Sequence, residues 1–367
     1  MAKSILDYPL EPAELLYRAE TEILMDMVRF LRNGNIASAE WRQTCLSRMG
    51  ALTQDANKII DRYKEAILYG TLSKVDEAAM EQLLKSEAIY MKARAKGAPL
   101  LNPLPIDADP AISQTIAAWQ ATAKDQMNLA MATLLQNSGS LYVNTINRTT
   151  SQVITGAMSG REALVRTIRE WAETGVPSIV DKANRQWTTE AYANMVIRTN
   201  VRRVTTEVQM QRAQEYDSDL IEVSSHAGAR PLCAPYQGRV FSLSGKSEKY
   251  PPFSSTSYGE PAGLLGINCG HIVYPFFEGI SRQTYAPDDT PEKRSENERI
   301  YQESQRQRAL ERSIRAAKRE LAIYETLGDN DAIAQAKMLV RDRQATMREF
   351  IDDTGRTRQR AREQVYD

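Results

Sequence analysis

The sequence predicts a mainly α protein with a small α+β module. Three observations predict it. Apolar residues recur at helical spacing through residues 1–150. Residues 220–281 turn abruptly rich in Gly, Pro, Ser and aromatics, with three short strand-like runs. From Glu296 onward the chain is highly charged, with a narrow apolar stripe. These textures divide it into an N-terminal helical region (1–150), a Gly/Pro-rich α+β module (151–285), and a charged helical hairpin with a basic tail (286–367).

In AELLYRAETEILMDMVRFLRNG, Leu16, Ala19, Ile23, Met27 and Phe30 fall three or four apart on one helical face, and Gly34 is placed to end the helix. A second helix follows Ser38 as N-cap, with Trp41, Cys45, Met49, Leu52, Ala56, Ile59 and Tyr63 on one face and its end at Gly70. VDEAAMEQLLKSEAIYMKARAKG is a third helix. The four prolines of GAPLLNPLPIDADP (97–110) make an extended connector. Helices are then expected over about 111–135 and 158–174, and again through GVPSIVDKANRQWTTEAYANMVIRTNVRRVTTEVQMQRAQEYDSD, with a break near Gly175-Val176-Pro177. LIEVSS, GRVFSL and HIVYPF read as short strands between turns. Two charged helices joined at LGDND close the chain, with Ile300, Leu310, Ile314, Leu321 and Tyr324 as the stripe that packs on a partner helix.

Composition excludes little, but it does set limits. Lys+Arg and Asp+Glu are equal at 47 each, so no overall field draws the chain to nucleic acid or membrane. No apolar run approaches a membrane span, and the N-terminus lacks the apolar core of a signal peptide. Three cysteines in 367 residues fit a reducing compartment such as a cytoplasm, or a particle assembled there, rather than a disulfide framework.

The chemistry concentrates in one block. Both histidines and two of the three cysteines lie within residues 226–271, as His226, Cys233, Cys269 and His271. Two nitrogens and two sulfurs make a tetrahedral zinc set, although the H-x6-C and C-x-H spacings match no common zinc finger. Cys-x-His in an extended strand points both side chains to one face, which suits chelation and packing alike. A nucleophilic reading pairs Cys233 or Cys269 with a histidine base. Asp217, Asp219 and Glu222 are the nearby acids, none of them fixed as the group that orients the base. No GxSxG, HExxH or phosphate-loop motif is present. Arg198, Arg202, Arg203, Arg312, Arg315, Lys318 and Arg319 could meet phosphates or form solvated helix faces. In the tail, Arg356, Arg358, Arg360 and Arg362 fall within eight residues.

VIRTNVRRVTTEVQMQRAQE, SSHAGARPLCAPYQGRVFSLSG, FSSTSYGEPAGLLGINCGHIVYPFFEGIS, YQESQRQRALERSIRAAKRELA and REFIDDTGRTRQRAREQV, in that order, resemble the minor capsid protein 2 family of tailed phages, related to Mu F-like head morphogenesis proteins. The resemblance implies a virion structural protein, not an enzyme. It would be made in the host cytoplasm, act at head assembly and DNA packaging, and associate with the portal protein and major capsid protein at one vertex. It implies no cofactor firmly. Some members carry a histidine at the position of Cys233, an exchange a metal ligand tolerates. Two other readings stand beside it: a zinc-stapled DNA-binding or ejected internal protein, and a Cys/His protease or effector.

Overall fold

The computed structural model describes residues 11–180, 184, 186–285, 287 and 290–365. The first expected helix is α1 (Glu11–Leu31), with Leu16, Ala19, Ile23 and Met27 fully buried. Ser38 caps α2 (Ala39–Ser47), its hydroxyl accepting from the Trp41 N–H at 3.1 Å. Met49 leaves the expected stripe and is exposed, because a new helix begins there.

The second and third expected helices are mostly one, α3 (Met49–Ala95), which runs through Gly70. A glycine inside a helix costs about 1 kcal/mol. Ile67, Thr71 and Val75, spaced by four and all fully buried, return more than that by continuing one packed face across the glycine. The connector 97–110 carries only a short helical turn at Ile106–Ala108. α4 (Pro110–Ile154) likewise outruns its expected end near residue 135, because Leu134, Ser138, Tyr142, Thr145 and Thr149 keep a buried stripe past Gly139. α5 (Gly160–Thr174) starts on a capping box formed by Ser159 and Glu162.

Residues 177–188 depart from expectation. A helix was predicted; the described residues there form a two-stranded antiparallel pair, β1 (Pro177–Val180) and β2 (Gln186–Thr188), while 181–183 and 185 lie outside the described set. Pro177 restricts Val176 to extended backbone, and α6 (Thr189–Glu215) forms only after the pair. The three strands predicted from the Gly/Pro-rich block are present. β3 (Leu220–Val223) is central, flanked by β4 (Val240–Ser242) and β5 (Val273–Pro275), both antiparallel to it. α7 (Pro291–Leu327) and α8 (Asn330–Thr354) make the expected hairpin. Asp329 caps α8, its carboxylate accepting from the Ala332 N–H at 3.0 Å. Leu310, Ile314 and Met347 form a shared core, with Phe350 and Ile351 against it.

The chain divides into two compact units. One contains residues 69–126 and 194–304; the other contains 11–68, 127–193 and Gln305 onward. Their boundaries fall inside α3, α4, α6 and α7. Helical periodicity is local and continues through such a boundary, so sequence texture does not mark it. Among the described residues, no helix is long and apolar enough to cross a membrane.

Candidate metal centre

The site lies in the first unit, and sheet register builds it. Val223 pairs with Val273, and Ser224 continues that ladder through a 2.8 Å bond from its N–H to the Ile272 carbonyl. Carried two residues further, the same register sets His226 opposite Gly270, between Cys269 and His271. A side chain at Gly270 would collide with this arrangement: a Cβ there would lie 2.6 Å from His226 Nε2. On the other edge, Val223 pairs across to Arg239 and Gly238, which brings Gln237 beside Ser225. Cys233 arrives on the turn that precedes the short helical turn Ala234–Tyr236, and its N–H bonds the Arg230 carbonyl at 2.8 Å.

The structure brings Cys233, Cys269 and His271 together, with their ligand atoms all within 4.8 Å of one another and all three residues buried. Cys233 Sγ lies 3.7 Å from Cys269 Sγ, and Cys269 Sγ lies 3.3 Å from His271 Nδ1. The His226 ring stands against His271, centroids 4.5 Å apart. Leu265 N–H points at Cys269 Sγ from 3.3 Å, and Arg202 donates to the Cys269 carbonyl at 2.6 Å.

Gln237 sets the tautomers. Its Oε1 accepts from the His226 backbone N–H at 2.8 Å, which fixes the amide orientation. His271 Nε2 is 3.0 Å from that same oxygen, so it carries the proton and donates, leaving a lone pair on Nδ1 toward Cys269. His226 Nδ1 faces the Ala227 carbonyl at 3.2 Å and must also donate, leaving the lone pair on Nε2. That Nε2 is buried and has no partner among the described residues.

The charge balance is uneven. The hydrogen bond from Cys233 pulls the Cys269 thiol well below the ordinary thiol range, helped by His271 and Arg202 and opposed by burial. Cys233 is pushed up by that same bond and by burial. Burial, then His271, lowers His226 to about 4, so it is neutral at neutral pH. Arg202 is buried, and its Nε and Nη1 have no hydrogen-bond partner among the described residues.

Two of the three acids considered as orienting groups, Asp219 and Glu222, serve elsewhere. Asp219 accepts from Ser242 Oγ and the Ser244 N–H, both at 2.6 Å. Glu222 accepts from the Thr284 and Tyr285 N–H groups at 2.8 Å. Gln237 and the Ala227 carbonyl orient the histidines instead. Sequence reasoning missed Gln237, since only the strand register shows it. It also missed Asn297 on α7, whose side-chain amide accepts from the Ala229 N–H at 2.9 Å and donates to the Ala229 carbonyl at 2.8 Å. This clamp ties HAGARP to α7. Asn297→Ala is expected to strand both buried groups, each costing about 1–3 kcal/mol. Chemical denaturation followed by tyrosine fluorescence measures the loss; a change below ~0.5 kcal/mol would mean water replaces the clamp.

Most of the basic residues weighed as phosphate contacts or solvated faces hold partners within the chain, and two of them are buried. Arg202 and Arg319 are buried. Arg203 lies over the Trp119 ring at 5.4 Å, and Arg315 pairs with Glu190 at 2.5 Å. Lys318 donates to Gln364 at 2.7 Å, while Arg312 is exposed. In the tail, Arg356 donates to Gln307 at 2.8 Å, and Arg358 holds both oxygens of the buried Glu363 at 2.6 Å. Arg360 and Arg362 have exposed side chains.

Comparison with known proteins places this chain among phage structural proteins. A protein of Lactococcus phage LL-H named "Structural protein" is 32% identical over 343 residues, 89% of each chain. Another of that name, from Lactococcus phage mv4, is 33% identical over 120 residues, 32% of this chain and 93% of the relative. The model of the family described as phage minor capsid protein 2 matches residues 7–352, and the chain belongs to that family. No solved structure matches it.

Proposed function

We propose that this protein is a minor capsid component that enters the virion at the portal vertex, where it contacts the portal protein and the major capsid protein during head assembly and DNA packaging. The supporting observation is that the minor capsid family match spans residues 7–352, and so takes in parts of both compact units and the site. The role is structural: long helices present surface to neighbouring subunits, and no step of chemistry is assigned to the chain. Cross-linking of purified virions followed by mass spectrometry tests the reading. Cross-links to portal and major capsid peptides are expected, and a chain absent from virions, or linked only to tail proteins, overturns it.

Within this reading the tail touches packaged DNA through Arg360 and Arg362, the tail arginines with exposed side chains. Contacts to two phosphates contribute about 1.8 to the slope of log affinity against log salt on duplex DNA. Arg360→Ala with Arg362→Ala is therefore expected to flatten the slope by about that amount, read by fluorescence anisotropy on random-sequence duplex. An unchanged slope removes DNA from the tail's partners.

A further inference from the structure

We propose that Cys233, Cys269, His271 and His226 bind one zinc ion, which staples the loop block at the point where β3 leaves the sheet and β5 enters it. Zinc–sulfur bonds of about 2.3 Å and zinc–nitrogen bonds of about 2.0–2.1 Å at tetrahedral angles set S···S near ~3.8 Å and S···N near ~3.6 Å. The observed 3.7 Å and 3.3 Å lie close to those values. Packing alone does not require two sulfurs and an imidazole lone pair to converge at ligand spacing.

The second observation is independent of the first. Each histidine gives its outer N–H to a carbonyl oxygen, His271 to Gln237 and His226 to Ala227, and so turns a lone pair inward. Metal-bound histidines are commonly fixed in this way by a second layer of acceptors. The inward lone pair of His226 is buried and has no donor among the described residues. A buried imidazole acceptor left without a partner costs free energy unless something occupies it, and a cation does so. Cys233, Cys269 and His271 supply three ligands, and His226, its ring tilted against His271 with centroids 4.5 Å apart, supplies the fourth.

The third is Arg202, a buried guanidinium that donates to the Cys269 carbonyl at 2.6 Å and so holds the backbone of that ligand in place. Metal binding makes both sulfurs thiolates. Each thiol still protonated releases its proton to solvent, two sulfur and two nitrogen lone pairs enter the zinc shell, and nothing is oxidised or reduced. A two-sulfur, two-nitrogen tetrahedral set favours zinc over the hard oxygen-seeking cations. The inference stands apart from the portal reading, since a metal staple holds the module whatever the chain docks against.

The full chain, expressed with added zinc and purified without chelator, is expected to carry about one zinc per molecule by elemental analysis. Cobalt substitution should give tetrahedral ligand-field bands with thiolate-to-cobalt charge transfer. His226→Ala, which leaves three ligands and the fold in place, is expected to weaken zinc binding at least tenfold in competition with a chromogenic chelator. Gln237→Ala, which frees the His271 ring, is expected to weaken it about 10–100-fold. Zinc-free protein with two titratable thiols in the block overturns the proposal. So does a Cys233–Cys269 disulfide found by native peptide mapping. Wild-type affinity in His226→Ala overturns the fourth ligand.

Discussion

Arg319→Ala is expected to destabilise the second compact unit by about 3–5 kcal/mol, the cost of leaving one member of a buried ion pair alone. Arg319 is 4% exposed and Glu20 1%. Arg319 Nη1 reaches Glu20 Oε2 at 3.1 Å, Nε donates to the Ala172 carbonyl at 2.7 Å, and the guanidinium lies over the Tyr17 ring at 5.0 Å. The other Glu20 oxygen accepts from the Val176 N–H at 2.8 Å. One side chain on α7 thus fixes α1, the end of α5 and the approach to β1. Gly175 belongs to the same node: its φ is +77°, and a Cβ there would lie 2.7 Å from Glu20 Oε1. Removing the arginine strands a carboxylate that water cannot reach. Replacing both members, Glu20→Leu with Arg319→Met, is expected to recover most of the loss, because well-packed apolar groups often match a buried pair. Urea melts of the two variants decide it; a single-variant loss below ~1 kcal/mol would mean that solvent reaches Glu20.

The same node has a pH signature. Burial, opposed by Arg319, raises the Glu20 pKa above its ordinary value. The folded state therefore holds that proton more tightly than the unfolded chain, whose Glu titrates near about 4.3. The contribution is fully present below that value and is lost as pH rises through the raised folded pKa. Glu20→Gln, which does not ionise, is expected to narrow its deficit against the wild type as pH increases across that window.

Whatever rests on local spacing was legible in the sequence. The α1 stripe, the Ser38 cap, the three strands and the hairpin turn at LGDND all follow from residues within a few positions of one another. The continuity of α3 through Gly70 was not legible, because a glycine's local penalty is overridden by burial of Ile67 and Val75 against distant chain. The β1–β2 pair escaped notice because short apolar runs with β-branched residues fit helix and strand alike. At the site, the rarity of histidine and cysteine pointed to Cys233, Cys269 and His271, which the structure brings together, and to His226, whose ring stands against His271. Their arrangement needed the register of β5 on β3, which no spacing shows. Arg202 and Arg319 illustrate the remaining gap: helical periodicity says which residues share a face, not whether that face meets water or a neighbouring helix.

Arg212→Ala is expected to do to the first unit what Arg319→Ala does to the second, with a loss of about 3–5 kcal/mol. Arg212 is 1% exposed. Its Nε and Nη2 grip both oxygens of Glu87 on α3 at 3.0 and 3.1 Å, a fork geometry that lysine cannot reproduce. Nη1 holds Glu215 at 2.8 Å and lies 3.7 Å from Asp109, at the start of α4. Tyr216 donates to Glu87 and stacks on Tyr90 with ring centroids 4.0 Å apart, and the guanidinium covers the Tyr216 ring at 4.8 Å. Three carboxylates thus converge on one cation, and removing it leaves them repelling one another in a partly dry space. Arg212→Lys is expected to recover only part of the loss, since it restores the charge without the fork. Glu87→Gln in the alanine background should restore more than it costs alone, because it relieves that repulsion. A double-mutant cycle on urea midpoints reads the coupling, and additive losses would show that the carboxylates do not feel one another through Arg212.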